Sequence, residues 1–285
     1  MASNLDIPNA YLAAAPVIVT SPTTRCGTTL VQRLLCASDN AFVYGEEIGQ
    51  QFRNLAGMFA HQIKHCEQNG AAMDDAFYLA LAGGLRDWRP GLMPPAQTML
   101  NAWTHAYYQL PLALAAFGQS VERPIWGFKW PGCPAPTVRT FLALMPASKV
   151  VFVIRNLVDA LKSAKARRFV VTAEDSARYC AEWALNVREF TALAADSRVM
   201  ILRYEDLMAD QLERMAALSA FTGAVGMRRS EFDLKVNTFE GSEDEGRSPT
   251  QYIAPAPLDE ADWAALRAQA GEDMNRHYPD LLLPA

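Results

Sequence analysis

Three short runs of aliphatic and β-branched residues constrain the fold of this chain most: Val17-Ile18-Val19-Thr20, Lys149-Val150-Val151-Phe152-Val153-Ile154 and Val199-Met200-Ile201-Leu202. Runs apolar on both faces suit strands covered by helices above and below, the condition of a buried parallel sheet. A helical pattern follows each of them, over Thr28 to Ala37, Leu157 to Arg168 and Asp210 to Thr222. Strand and helix alternate, which predicts an α/β fold: a doubly wound parallel sheet flanked by helices. Thr172-Ala173-Glu174-Asp175 has the form of a capping box opening a helix to about Ala195, with Tyr179, Trp183, Val187 and Phe190 on its core face. Residues 50–120 read as mostly helical, broken near Arg89-Pro90-Gly91 and Pro94-Pro95. They are expected to form an insertion over the C-terminal ends of the strands, where α/β proteins build substrate sites. A length of 285 residues, 51% of them hydrophobic, fits one domain over 1–285.

The first strand leads into Thr20-Ser21-Pro22-Thr23-Thr24-Arg25-Cys26-Gly27-Thr28-Thr29-Leu30. A glycine and hydroxyl residues at a helix start, where backbone N–H groups lack partners, make an anion site of P-loop-like type. Gly27 lets the backbone approach a phosphate, Thr28 and Thr29 add hydroxyl donors, and Arg25 supplies a forked, permanent charge. A plain strand-to-helix turn with a surface arginine is the alternative reading. The magnesium-nucleotide loop, Gly-x4-Gly-Lys-Ser/Thr, is not matched: Pro22 stands at the first glycine, Cys26 precedes Gly27, and no lysine follows it. The next strand lacks a magnesium-binding aspartate at its end, so no metal is expected.

The formal net charge of -5 argues against a nucleic-acid or anionic-membrane binder and confines phosphate binding to a local pocket. Met1 to Ala15 lacks a basic leader pattern, and no run approaches the ~20 apolar residues of a membrane span. The 5 cysteines are scattered, without C-x-x-C or zinc spacing, and read as reduced thiols. A cytoplasmic location is expected. His61 and His65 share a helical face but have no third ligand in evidence and read as a solvated pair.

Ser21 to Leu30 resembles the 5'-phosphosulfate loop of the sulfotransferase family, where P-R-S-G-T-T-L is common. Val150 to Ser163 resembles that family's 3'-phosphate segment, with Arg155 at a strand end and Ser163 on the next helix. Ile201-Leu202-Arg203-Tyr204-Glu205-Asp206-Leu207 is similar to its later strand signature. Within the family the tyrosylprotein sulfotransferase branch is closest in form. Tyr44-Gly45-Glu46-Glu47 resembles its G-E-E stretch, Arg167 matches a further donor-binding arginine, and Gly246 to Pro255 is similar to its late donor-binding loop. Thr24 and Cys26 around Arg25, Asn156-Leu157 in place of Asp-Pro, and one extra residue before Glu47 depart from the family pattern.

The resemblance implies transfer of a sulfonate from PAPS (3'-phosphoadenosine 5'-phosphosulfate) to an acceptor hydroxyl by in-line displacement, with PAP as product. It places donor binding on Arg25, Cys26, Gly27, Thr28, Thr29, Arg155, Ser163, Arg167, Tyr204 and Ser248. Lys129, in Trp126-Gly127-Phe128-Lys129-Trp130, and Arg25 would stabilise the leaving phosphate, and Glu47 would take the acceptor's proton. Glu46 and Glu47 as a surface acid pair, Lys129 as a snorkelling surface lysine, and Lys162, Lys165 and Arg168 as a solvated helix face are the plainer readings. A magnesium-ATP kinase or nucleotide hydrolase and a non-catalytic nucleotide-binding protein remain open alternatives. The acceptor stays open among a small molecule, a lipid and a tyrosine-like phenol, and the oligomeric state is not fixed by the sequence.

Overall fold

The computed structural model describes residues 9, 14–234 and 254–281. Five strands form one sheet: β1 (Val17–Ser21), β2 (Ala41–Tyr44), β3 (Ile125–Pro131), β4 (Lys149–Ile154) and β5 (Val199–Arg203). Their order is β2-β3-β1-β4-β5, and every neighbouring pair is parallel. The chain leaves β1 for one edge, then returns across β1 to build the other. That reversal opens a crevice at the C-terminal end of β1, the place where open α/β sheets bind ligands. The register keeps the strand ends nearly level there, with Ser21 opposite Pro131 and Thr20 opposite Phe152.

The helices are α1 (Thr28–Cys36), α2 (Glu46–Leu81), α3 (Ala96–Ser120), α4 (Ala135–Leu144), α5 (Leu157–Ala166), α6 (Ala173–Leu193), α7 (Tyr204–Ala209), α8 (Gln211–Thr222) and α9 (Glu260–His277). Alternation along each strand sorts the core into two layers. Ile18, Phe128, Trp130, Phe152 and Ile154 lie under α2, α4 and α6, while Val17, Val19, Val151 and Val153 lie under α1 and α8. β1 and β3 approach so closely that a Cβ on Gly127 would lie 2.0 Å from the Val17 carbonyl oxygen. A larger residue there would force the central strands apart.

The doubly wound sheet and its helical insertion follow the sequence expectation, with differences at the edges. β2 is a four-residue edge strand that alternates buried and exposed residues, too short for the pattern to stand out. The insertion starts at Glu46 rather than near Gln50, so Glu46 and Glu47 sit in the first turn of a 36-residue helix. At 1.5 Å per residue α2 is about 54 Å long, far longer than any strand beneath it. Residues 82–95 separate it from α3, across the predicted breaks. The capping box of α6 is present, with the Thr172 and Asp175 side chains each accepting from the other's backbone N–H. Among the described residues no helix is long and apolar enough to cross a membrane.

Candidate functional site

Residues 22–27, between β1 and α1, are fixed mainly through their carbonyls. Ser21 Oγ donates to the Thr23 carbonyl at 2.6 Å, Asn186 Nδ2 to Pro22 at 2.7 Å, Tyr179 Oη to Thr24 at 2.5 Å and Arg155 Nη1 to Arg25 at 3.2 Å. Arg25 (φ 69°) and Gly27 (φ 97°) are both left-handed. Alternating backbone handedness of this kind turns N–H groups toward a common centre, and the Thr28 and Thr29 amides at the start of α1 have no intrahelical acceptor. Gly27 is required by space as well as by φ: a Cβ would fall 2.3 Å from Tyr204 Cδ2. The Tyr204 ring therefore packs against the glycine, and the Arg155 guanidinium lies 4.7 Å from that ring's centroid.

Arg25, Arg155, Ser163 and Arg167 are brought together. Arg25 Nε donates to Ser163 Oγ at 3.1 Å. Burial holds the Arg25 pKa below its ordinary value, with repulsion from Arg167 and Arg155 adding to it and Tyr179 opposing. Arg155 keeps its Nε buried without a hydrogen-bond partner among the described residues, and its carboxylate neighbour Asp159 is 3.9 Å away. Mutually repelling guanidiniums around a hydroxyl are complementary to an anion with several acceptor oxygens.

The helix expected over Leu157 to Arg168 ends at Ala166. Ser163 lies in the last turn of α5, and Arg167 is its C-terminal cap, because the chain turns left-handed at Arg168 (φ 58°). The helix N-terminus, capped by the Asn156 side chain, points to the Arg155 end instead. Ser163 and Arg167 thus reach the cluster by side-chain length rather than with the helix dipole. Lys165, expected to be solvated, is ion-paired to Asp259 at 2.9 Å and to the buried Asp262, and so pins α9 to α5.

Lys129 stands on β3 and is largely buried, with Nζ 2.9 Å from Glu46 Oε1 and 3.5 Å from Thr29 Oγ1. Lysine, first-turn hydroxyl and carboxylate therefore meet at the end of the anion loop. Glu47 is exposed and makes no hydrogen bond or ion pair among the described residues. Beside the loop, on the α6 side, lies a cavity of about 300 Å³ lined by Thr23, Thr24, Gly132, Phe169, Tyr179 and Glu182 among others.

Several positioning residues escaped the sequence reading. Glu205 Oε1 accepts from the Asn156 backbone N–H at 2.9 Å and from Asn156 Nδ2 at 2.8 Å, while Tyr278 Oη donates to Glu205 Oε2 at 3.2 Å. This ties the ends of β4 and β5 together and seats Arg155 over Tyr204. Trp183 Nε1 donates to the Arg155 carbonyl at 3.1 Å. Tyr179 and Trp183 are buried as expected of core aromatics, yet their polar atoms serve the loop and Arg155. The available signal was Asn186, a polar residue one turn after Trp183 and two turns after Tyr179 on a mostly apolar face. Ser248, the rest of Gly246 to Ile253, and the acidic stretch at 243–245 lie outside the described residues. Cys26 is fully buried, with Sγ 3.7 Å from Thr23 Oγ1, and burial raises its pKa. It shapes the turn from within.

A family model described as the sulfotransferase family matches residues 16–225. No curated protein matches the chain. Among solved structures, the sulfotransferase domain of the Synechococcus PCC 7002 olefin synthase is 16% identical, over 89% of this chain and 94% of its own, with a TM-score of 0.46. A sulfotransferase from Mycobacterium tuberculosis H37Rv is 16% identical over 94% of this chain and 77% of its own, with a TM-score of 0.41. Retinol dehydratase, solved with androsterone and the inactive cofactor PAP, is 16% identical over 97% and 87%, with a TM-score of 0.49.

Proposed function

Because the chain belongs to the sulfotransferase family, we propose that it moves a sulfonate group from PAPS to an acceptor hydroxyl and releases PAP. The observation that carries this reading is the convergence of two anion-binding features on one crevice: the loop at Arg25–Thr29 and the Arg155–Ser163–Arg167 cluster, joined by the Arg25–Ser163 hydrogen bond. A nucleotide with phosphates at both its 3' and 5' positions needs two such features side by side. The buried, unpartnered Arg155 Nε and the bare Gly27 backbone over Tyr204 fit a phosphate and a close-lying nucleotide.

In this reading the N–H groups and hydroxyls of Cys26, Gly27, Thr28 and Thr29 hold the 5'-phosphosulfate. Arg155, Ser163 and Arg167 hold the 3'-phosphate, and Tyr204, with Ser248, borders the nucleoside. PAPS supplies the activated sulfonate. The acceptor oxygen forms a bond to sulfur as the bond from sulfur to the phosphate oxygen breaks. The electron pair leaves on that oxygen, and the acceptor's proton passes to a carboxylate. Lys129, beside Thr29, is placed to neutralise the leaving oxygen, with Arg25 as the second cation.

The base belongs to the first turn of α2. The likeness to the tyrosylprotein branch designates Glu47, but the geometry favours Glu46, whose carboxylate is already at Lys129. When the lysine turns to the donor's phosphate, Glu46 loses its partner beside the acceptor hydroxyl and can accept a proton. Thermal stabilisation by PAP, with none from ATP and magnesium, is the expected signature of the donor site, since a ligand of the folded state raises its stability. Stabilisation by ATP and magnesium but not by PAP would overturn the reading. A sulfonate mass gain in cell extract incubated with enzyme and PAPS would then identify the acceptor.

A further inference from the structure

The cavity beside the loop has a feature that donor binding does not by itself require. It opens at the C-terminal ends of β1 and β3, where Gly132 N–H donates to the Ser21 carbonyl at 3.0 Å, three residues beyond Lys129. Tyr179 and Phe169 supply aromatic walls. Three charged residues of α6 border it, one helical turn apart: Asp175, Arg178 and Glu182. Asp175 and Arg178 are ion-paired, and Asp175 is further occupied by the backbone N–H groups of Val171 and Thr172. Their charges cancel at the rim.

Glu182 is different. It makes no hydrogen bond or ion pair among the described residues, and Arg178, its nearest opposing charge, is taken by Asp175. Its carboxylate reaches from the helix toward the strand end: a Cβ on Gly132 would lie 3.3 Å from Glu182 Oε1. Burial raises its pKa, with Arg178 opposing. Glu182 is an exposed residue whose carboxylate borders the cavity without a protein partner, so a ligand that brings a positive charge gains a charge-assisted contact there. Aromatic walls beside it favour an ammonium over a second hydroxyl.

We propose that this cavity seats the acceptor and that Glu182 selects for hydroxyl compounds carrying an amine, binding their ammonium group. The proposal rests on the sulfotransferase reading for the identity of the ligand as acceptor, but not for the charge preference itself. A volume of about 300 Å³ admits a small amino alcohol or aminoalkyl phenol. Phe169 also lies against the Arg25 guanidinium, 6.0 Å from its ring centroid, so the cavity wall is shared with the donor side. The acceptor seat and the donor cluster are therefore neighbours.

The test compares tyramine with 4-ethylphenol, which share a phenol and differ by the ammonium. Binding of each to the protein saturated with PAP is followed by titration calorimetry. Tyramine is expected to bind roughly tenfold more tightly, the effect of one charge-assisted contact. Glu182→Gln should bring the two to within about twofold of each other. Glu182→Lys should favour 3-(4-hydroxyphenyl)propanoate over tyramine, which guards against a variant that is merely misfolded. Equal binding of tyramine and 4-ethylphenol to the parent, or an unchanged preference in Glu182→Gln, would overturn the proposal. Thermal stabilisation by PAP is read in the same samples. If the parent fails to respond to PAP, the donor reading fails, and the tyramine preference is then judged without PAP.

Discussion

The two ends of the site are built in opposite ways. At the proposed donor end, carbonyls of four successive loop residues are held by neighbouring side chains, and three arginines and a serine lie together. At the cavity end a single unpaired carboxylate and a self-cancelling ion pair face open space. If the donor is always PAPS, as proposed, it can be read by backbone geometry that no side-chain substitution easily changes. In the proposed reading acceptor choice rests on exposed side chains of α6, which can vary without disturbing the sheet.

The largest effect that would sharpen this contrast is expected at Lys129, between the two ends. Lys129→Ala should lower kcat by about 10³-fold while PAP affinity changes less than about tenfold. A parallel loss of PAP binding would place the lysine in the donor grip instead. Glu46→Gln should lower kcat about 10²-fold, with Glu47→Gln within about threefold of the parent, read at saturating donor. The reverse order would move the base to Glu47.

Arg155→Ala belongs wholly to the donor end. It should weaken PAP binding about thirtyfold, the scale of a lost charge-assisted hydrogen bond, and leave tyramine binding nearly unchanged. Equal losses in both would break the division between the ends. The smallest effect lies outside the site, at the start of β5. The Arg198 guanidinium donates to Asp196 at 2.6 and 3.0 Å while its Nη1 donates to the Leu142 and Pro146 carbonyls, and the bonds to Asp196 hold that carboxyl down at about 2. Its folded-state value is below its unfolded one, so the stabilisation is present above pH ~4 and is lost as pH falls through about 2. Asp196→Asn should cost about 0.5–1 kcal/mol in urea unfolding at neutral pH, vanish as a difference near pH 2, and leave transfer intact.

Much of the fold was legible because buried parallel strands must be apolar on both faces, and β1, β4 and β5 announce themselves that way. β2 did not, since a four-residue edge strand exposes every second side chain. Helix ends were less certain than helices: α5 stops at Ala166 because Arg168 adopts a left-handed turn, which no residue type there requires. The cluster of Arg25, Arg155, Ser163 and Arg167 was legible as separate motifs. Lys165 was not, because its partners Asp259 and Asp262 lie far away in sequence.

The sequence by itself determined the order of strands and helices, the glycine turn after β1 and the kinds of side chain available to an anion. These are local matters of periodicity, conformational freedom and charge. Only the tertiary structure decided that Glu46 meets Lys129, that Glu205 joins β4 to β5, and that Glu182 faces a cavity without a partner. Which of two adjacent acids meets a lysine depends on the rotation of a helix against a strand more than 80 residues away, and that rotation is set by packing across the whole sheet.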